Sequence, residues 1–272
     1  MKFIARKPRE GINVSDEHPL VEAVTLIVGL TAIFIVIALA LIFIIEVALF
    51  FVPEKTEAEL FSGWIPDDLV TVSPADERLE QTQRLVERLA GHWAETPYEF
   101  RVEIDDSDVA NAMALPGGLI IVTKGLLDQV ESENELAFVL GHELGHFRNR
   151  DHLRALGRGL VLSLFFSVIT GKDVANLGIS ATDIALRGFS REQEKKADAF
   201  GLAIVHSEYG HVNEAARLFE RWDAADKNTL AIVAYLSTHP QPGDRVERLR
   251  ALAERDGWRT DGQVTALGWQ GR

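Results

Sequence analysis

His142-Glu143-Leu144-Gly145-His146 places two imidazoles four residues apart with a carboxylate between them. On an α-helix, residues i and i+4 lie one turn above each other on the same face. Both rings can therefore reach one metal ion, while Glu143 stands beside it to hold a water. One zinc ion per chain is the expected cofactor. Zinc lowers the pKa of water to about 7, which makes a nucleophile available near neutral pH. Glu143 is then the expected general base, taking a proton and passing it to a leaving group.

A catalytic zinc has three protein ligands and an open position, and His, His, Glu is one established set. The third ligand is sought in Ser190-Arg191-Glu192-Gln193-Glu194-Lys195-Lys196-Ala197-Asp198. Ser190 and Gln193 have capping-box spacing, which predicts a helix start. Glu194 and Asp198 then share a face. One carboxylate can bind the metal, and the other can accept the N–H of a ligand imidazole and fix its tautomer. A solvated face rich in Glu and Lys is the competing reading, and Glu192 is the solvated member on either one. His152 and His211 lack partner spacing and are read as structural or exposed.

HELGH followed by Ser190, Arg191, Glu194, Ala197 and Asp198 resembles the gluzincin zinc metallopeptidases of family M48, the HtpX-like and CAAX prenyl protease-like peptidases. Two more stretches carry the resemblance. Asn111-Ala112-Met113-Ala114-Leu115-Pro116-Gly117-Gly118 matches a strand at the rim of the family's cleft, and Thr238-His239-Pro240 with Arg245 matches a motif near the domain end. The matches run in the family's order over about 75–252. The resemblance implies His142, His146 and Glu194 as zinc ligands, Glu143 as base and Asp198 as the partner behind a ligand. It implies His239 near the metal on the substrate side, where it can hydrogen-bond the developing oxyanion. It also implies that the backbone of Asn111, Ala112, Met113 and Ala114 receives an extended peptide.

Elements must position these groups. Ser132 and Glu135 have capping-box spacing ahead of HELGH, and Leu136, Val139, Leu140, Leu144 and Phe147 give a stripe at helical period. Ser73-Pro74 predicts a helix start, and that helix runs to about Trp93 with Leu79, Leu85, Val86 and Leu89 on its buried side. Tyr98, Phe100, Val102 and Ile104 alternate with charged residues, as in a half-buried strand. Two further strand segments, 109–115 and 119–123, flank the Pro116-Gly117-Gly118 turn signal. The remainder reads as helical. The expected fold is α+β, a mainly helical zincin-like metallopeptidase domain with a small sheet, preceded by one transmembrane helix.

From Ala23 to Ile45 no charged residue occurs. At 1.5 Å per residue that run spans about 34 Å, enough for a bilayer core of about 30 Å. It exceeds the apolar region of a signal peptide and lacks a clear cleavage site. The expected organisation is a basic segment at 1–19, an anchor at 20–52, a linker at 53–73, the peptidase domain at 74–254 and a loosely held tail at 255–272. Leu160–Ile169 is too short to span a bilayer, and is either a core helix or a segment dipping into the interface. Lys2, Arg6, Lys7 and Arg9 precede the anchor and Lys55 alone closely follows it. The positive-inside rule then puts the N-terminus in the cytoplasm and the catalytic domain outside it. A single-pass protein of a bacterial inner membrane is expected. The net charge of −13 argues against nucleic acid as a partner. The absence of cysteine excludes disulfides and thiol ligands.

The expected partners are a lipid bilayer and a polypeptide substrate. Strand addition reads little sequence, which favours an endopeptidase acting on unfolded, misassembled or membrane-associated protein. The prenyl-protein activity would need a multi-span chamber, and one clear span is present. The alternatives are a chaperone-like or binding module that keeps its zinc without turnover, and a purely structural zinc site. The sequence offers no evident fourth ligand for the latter.

Overall fold

The computed structural model describes residues 18–61, 76–171, 188–224, 235, 238–239 and 244–269. Its first element is Pro19–Phe51 (α1), a strongly apolar helix of 33 residues. None of its side chains is buried, and most are apolar and exposed, the pattern of a helix solvated by lipid. At 1.5 Å per residue it is about 50 Å long, more than a bilayer core requires. The chain divides after Ile44 into two compact units. α1 up to Ile44 belongs to the first, and everything from Ile45 onward to the second.

In the second unit a short helix, Glu54–Phe61 (α2), precedes Arg78–Gly91 (α3). Ser73 and Pro74, where a helix start was expected, lie outside the described residues. Three strands follow, Arg101–Asp105 (β1), Ala112–Leu115 (β2) and Leu119–Thr123 (β3), in the order β1-β3-β2. β1 pairs with β3 in parallel, Val102 opposite Ile120, and β2 pairs with β3 antiparallel, Met113 opposite Ile121. Gly117 and Gly118 make the β2–β3 turn at φ of +83° and +82°. A Cβ on Gly118 would stand 2.7 Å from the Glu99 carbonyl oxygen, so both conformation and space call for glycine there.

After Lys124–Gln129 (α4) come Glu133–Arg148 (α5), Asp151–Thr170 (α6), Arg191–Tyr209 (α7), Arg217–Ala224 (α8) and Arg245–Arg255 (α9). Leu85, Val86 and Leu89 of α3, Val102 and Ile104 of β1, and Leu136 to Leu140 of α5 meet Leu202 and Val205 of α7 in one apolar core. The mainly helical α+β domain with a small sheet and one N-terminal apolar helix is thus the architecture found. Leu160–Ile169 is the second half of α6. The first half of that helix is buried, whereas Leu160, Leu164, Phe166, Val168 and Ile169 are exposed.

The segment expected as a loose tail is packed in its described residues. Leu267 is buried, the Glu133 N–H donates to the Thr265 carbonyl at 2.9 Å, and the Val212 N–H donates to the Arg259 carbonyl at 2.8 Å. These bonds satisfy backbone groups at the start of α5 and just after α7 that no helix could satisfy.

Candidate metal centre and active site

The site is made by two helices that approach unusually closely. α5 begins at Ser132, whose hydroxyl accepts the Glu135 N–H at 3.2 Å. The Glu135 carboxylate caps the Glu131 N–H at 2.9 Å, one residue earlier than a reciprocal capping box would have it. α7 begins with the complete box of Ser190 and Gln193. Where they cross, a Cβ on Gly145 would lie 2.7 Å from Ala197 Cα, and one on Gly201 would lie 2.8 Å from His142 N. These two glycines let the backbones touch. That contact brings Glu194 and Asp198 of α7 within reach of His142 and His146 of α5.

Each imidazole is held from behind. His142 Nδ1–H donates to Asp198 Oδ1 at 2.9 Å, and His146 Nδ1–H donates to Asp151 Oδ2 at 3.0 Å. The two Nε2 atoms face each other at 3.1 Å, and in the neutral rings both carry lone pairs. His239 Nδ1 lies 3.2 Å from His142 Nε2 and 3.2 Å from Glu194 Oε1, while Glu194 Oε1 lies 3.4 Å from His146 Nε2. All four residues are buried, and their donor atoms fall within 4.8 Å of one another. Two facing lone pairs repel unless a proton or a metal ion stands between them, and buried carboxylates without partners are costly. Among the described residues, Glu194 Oε2 and both oxygens of Glu143 have no hydrogen-bond partner. The donor set therefore fits a cation.

The electrostatics agree. Burial alone would raise the Glu194 carboxyl, yet the imidazoles of His239 and His142 hold it far below the usual carboxylate range. Burial alone would lower His146, but hydrogen bonds to Asp151 and Glu194, with the charge of Glu143, carry it up to about 9. Burial keeps His142 below its ordinary value despite Glu194 and Asp198. Asp198 is also opposed by burial, and the guanidinium of Arg245 keeps it ionised. Arg245 Nη2 donates to Asp198 Oδ1 at 2.5 Å, and its guanidinium carbon lies 3.9 Å over the Phe219 ring.

The structure brings His142, Glu143, His146, Glu194, Asp198 and His239 together. The sequence offered no fourth donor, and His239 stands in that place. Around it, Phe189 stacks on His146 with ring centroids 3.8 Å apart, and Tyr235 stacks on His239 at 4.6 Å. Sequence reasoning missed Asp151, Phe189 and Tyr235. Asp151 is five residues beyond His146, past the i+4 spacing that marks helical neighbours, and nothing in the pattern signals it. His152 and His211 are not part of this donor set.

β2 lies at the edge of the described sheet. Asn111 donates its N–H to Thr123 Oγ1 at 2.8 Å and accepts the Thr123 N–H at 3.0 Å, so its backbone is spent on β3. Its side-chain oxygen accepts from Ala112 N and from Thr238 Oγ1, bracing the strand against the segment that carries His239. By antiparallel alternation Met113 also faces β3, and Ala112 and Ala114 turn their backbone groups to the outer edge.

Metalloendopeptidases and proteases are the curated relatives. The chain is 28% identical to the mitochondrial metalloendopeptidase OMA1 of Schizosaccharomyces pombe, over 61% of this chain and 50% of that protein. It is 32% identical to the mitochondrial metalloendopeptidase OMA1 of Arabidopsis thaliana, over 57% of this chain and 31% of that one. A protease HtpX homolog of Dictyoglomus thermophilum is 27% identical over 57% of this chain and 64% of its own length. The chain thus spans less than two thirds of each. The match to the model of Peptidase family M48 covers residues 76–253 and contains all of the donors above, and the chain belongs to that family.

Proposed function

We propose that this chain is a membrane-anchored zinc metalloendopeptidase that cleaves unfolded, misassembled or membrane-associated polypeptides. The observation that carries the reading is the donor set of His142, His146, Glu194 and His239, with the unpartnered carboxylate of Glu143 beside it. Zinc holds nitrogen and oxygen ligands at about 2.0–2.2 Å in a tetrahedron, whose edge is then about 3.4 Å. Four of the six separations among the donors, 3.1, 3.2, 3.2 and 3.4 Å, lie near that edge. Calcium and magnesium prefer oxygen ligands in larger number.

Zinc, when bound there, supplies Lewis acidity that acidifies water and polarises a peptide carbonyl. The chain's own groups do the rest. Asp198 and Asp151 fix the tautomers of His142 and His146, so that Nε2 faces inward. Glu143 takes the proton of the attacking water and delivers it to the departing amine. Among the described residues its two oxygens have no hydrogen-bond partner to displace first. His239 contributes Nδ1 to the donor set, and its Nε2 lies 3.6 Å from Glu143 Oε1. We read this as the resting arrangement, in which His239 fills the position that water and substrate need and withdraws for turnover. An extended polypeptide adds to β2 through the outward backbone of Ala114 and the carbonyl of Ala112, whose N–H is held by Asn111 Oδ1, a mode that reads little sequence. Met113 faces away from that edge, and Asn111 braces it.

The anchor is α1. The basic residues ahead of it put the N-terminus in the cytoplasm and the catalytic domain on the far side. The test is digestion of casein by the detergent-solubilised chain, with zinc analysis, comparing wild type, Glu143→Gln and chelator-treated protein. Cleavage lost in both controls, with about one zinc per chain, is expected. Equal cleavage by Glu143→Gln would sink the mechanism, and absence of zinc would sink the assignment.

A further inference from the structure

Asp151 reaches His146 only because the chain reverses between them. α5 ends at Arg148, and Arg150 adopts φ +55°, a left-handed conformation that non-glycine residues rarely take. That turn carries the Asp151 carboxylate back under His146, where it also accepts from Gln193 Nε2 at 2.6 Å. Such a conformation is strained and persists where its surroundings over-determine it. The surroundings are the residues on either side of Asp151.

Arg150 Nη1 donates to the carbonyls of Leu49 and Val52, each at 2.6 Å, capping the last turn of α1. These are carbonyls that a helix end leaves without partners. His152 Nε2 meets Glu57 Oε1 of α2 at 2.9 Å, and the Tyr98 hydroxyl donates to the other oxygen of Glu57. Glu57 is only 2% exposed, although α2 is otherwise polar and mostly solvated. Arg150, Asp151 and His152 are therefore one short segment with three buried grips. The outer two hold the juxtamembrane stretch, and the middle one holds His146.

We propose that Asp151 is the positioning residue of His146, and that the clasp of Arg150 and His152 on Leu49, Val52 and Glu57 fixes Asp151 in place. Metal affinity then depends on how the juxtamembrane stretch is seated. The inference rests on His146 being a metal ligand. It goes further by making Glu57, remote in sequence from every donor, a determinant of the metal site.

The experiment uses the full chain in detergent. Zinc affinity is measured by competition with a chromophoric chelator, and ligand geometry by the visible absorption of the cobalt-substituted protein. Wild type is compared with Asp151→Asn, Glu57→Gln and Lys55→Ala, the last an exposed control on α2. Loss of a partner behind a ligand typically costs about 10–100-fold in metal affinity. Asp151→Asn is expected in that range with a shifted cobalt spectrum. Glu57→Gln is expected to move both in the same direction by a smaller factor, while Lys55→Ala matches wild type. Helical circular dichroism is expected to be unchanged throughout. A folded Asp151→Asn protein with wild-type affinity and spectrum would overturn the role of Asp151. Wild-type behaviour of Glu57→Gln would overturn the clasp, and it decides the matter if Asp151→Asn does not fold. Failure of wild type itself to bind zinc would count against the assigned function instead.

Discussion

The Nε2 atoms of His142 and His146 face each other at 3.1 Å, each ring having already given its Nδ1–H to a carboxylate. Unless a proton or a metal ion stands between them, this arrangement opposes the close packing of α5 on α7. Metal binding is therefore coupled to the stability of the domain. A ligand present at 100 times its dissociation constant stabilises by about 2.7 kcal/mol. Thermal unfolding followed against zinc concentration is expected to show a Tm that rises with zinc and falls on chelation. A Tm indifferent to both would separate the cluster from the fold.

His239 makes a second prediction, because its Nδ1 lies as near His142 and Glu194 as a ligand would. Removing a fourth donor weakens metal binding and opens a position. His239→Ala is expected to bind zinc less tightly and to cleave casein at least as fast as wild type at saturating zinc. A loss of about 10²-fold or more would instead be the signature of a missing oxyanion donor. The two roles thus separate in one rate measurement.

The helix crossing makes a third. A methyl group on Gly145 has Ala197 Cα and its carbonyl oxygen within 2.9 Å, and backbone cannot move aside as a flexible side chain can. Overpacking of this kind costs about 1–3 kcal/mol. It also drives Glu194 away from the imidazoles. Gly145→Ala is expected to lower both Tm and zinc occupancy, measured on the same sample. A change in Tm alone would show that α7 keeps its register when pushed.

The donors on α5 and α7 were legible because helices convert spacing into geometry. His142 and His146 at i and i+4, and Glu194 and Asp198 likewise, fix their faces from sequence alone. The apolar run of α1 was legible for a similar reason, since bilayer thickness sets a length. Asp151 was not, because it reaches its partner through a left-handed turn at Arg150, where no period applies. Tyr235 and Phe189 act by stacking, which leaves no mark in the pattern. The packing of 256–269 was missed because its contacts follow no period: backbone bonds to Glu133 and Val212, side-chain bonds with Asn134 and Asn213, and the burial of Leu267 alone. Asn111 was assigned a backbone role that its pairing with Thr123 precludes.

Glu57 gives a prediction about pH. Burial would raise its carboxyl, but His152, Tyr98 and the Arg150 charge hold it below its ordinary value of 4.5. A carboxylate with a depressed folded-state pKa contributes stability that is present above its unfolded value and lost as pH falls through the folded one. The stability difference between wild type and Glu57→Gln is therefore expected to be largest near neutrality. It should shrink as pH drops below about 4.5. Denaturant unfolding of both proteins at several pH values measures it, and a difference independent of pH would rule out an ionised Glu57 as its source.

The outer edge of β2 yields a prediction that separates substrate binding from the metal. Ala114 turns its N–H away from β3, so replacing it with proline removes one donor from the open edge and none from the ladder. One hydrogen bond contributes about 0.5–1.5 kcal/mol. At 1.36 kcal/mol per tenfold, its loss corresponds to a fall of about 2- to 13-fold in kcat/KM. Ala114→Pro is expected to show that fall toward an extended peptide, carried mainly by KM, with zinc occupancy unchanged. Met113→Pro removes an N–H that β3 uses and is expected to destabilise the sheet itself. If the two variants behave alike, with zinc lost in both, the strand serves the fold and the substrate docks elsewhere. If Ala114→Pro alone spares the metal and weakens the substrate, the edge is where the polypeptide lies.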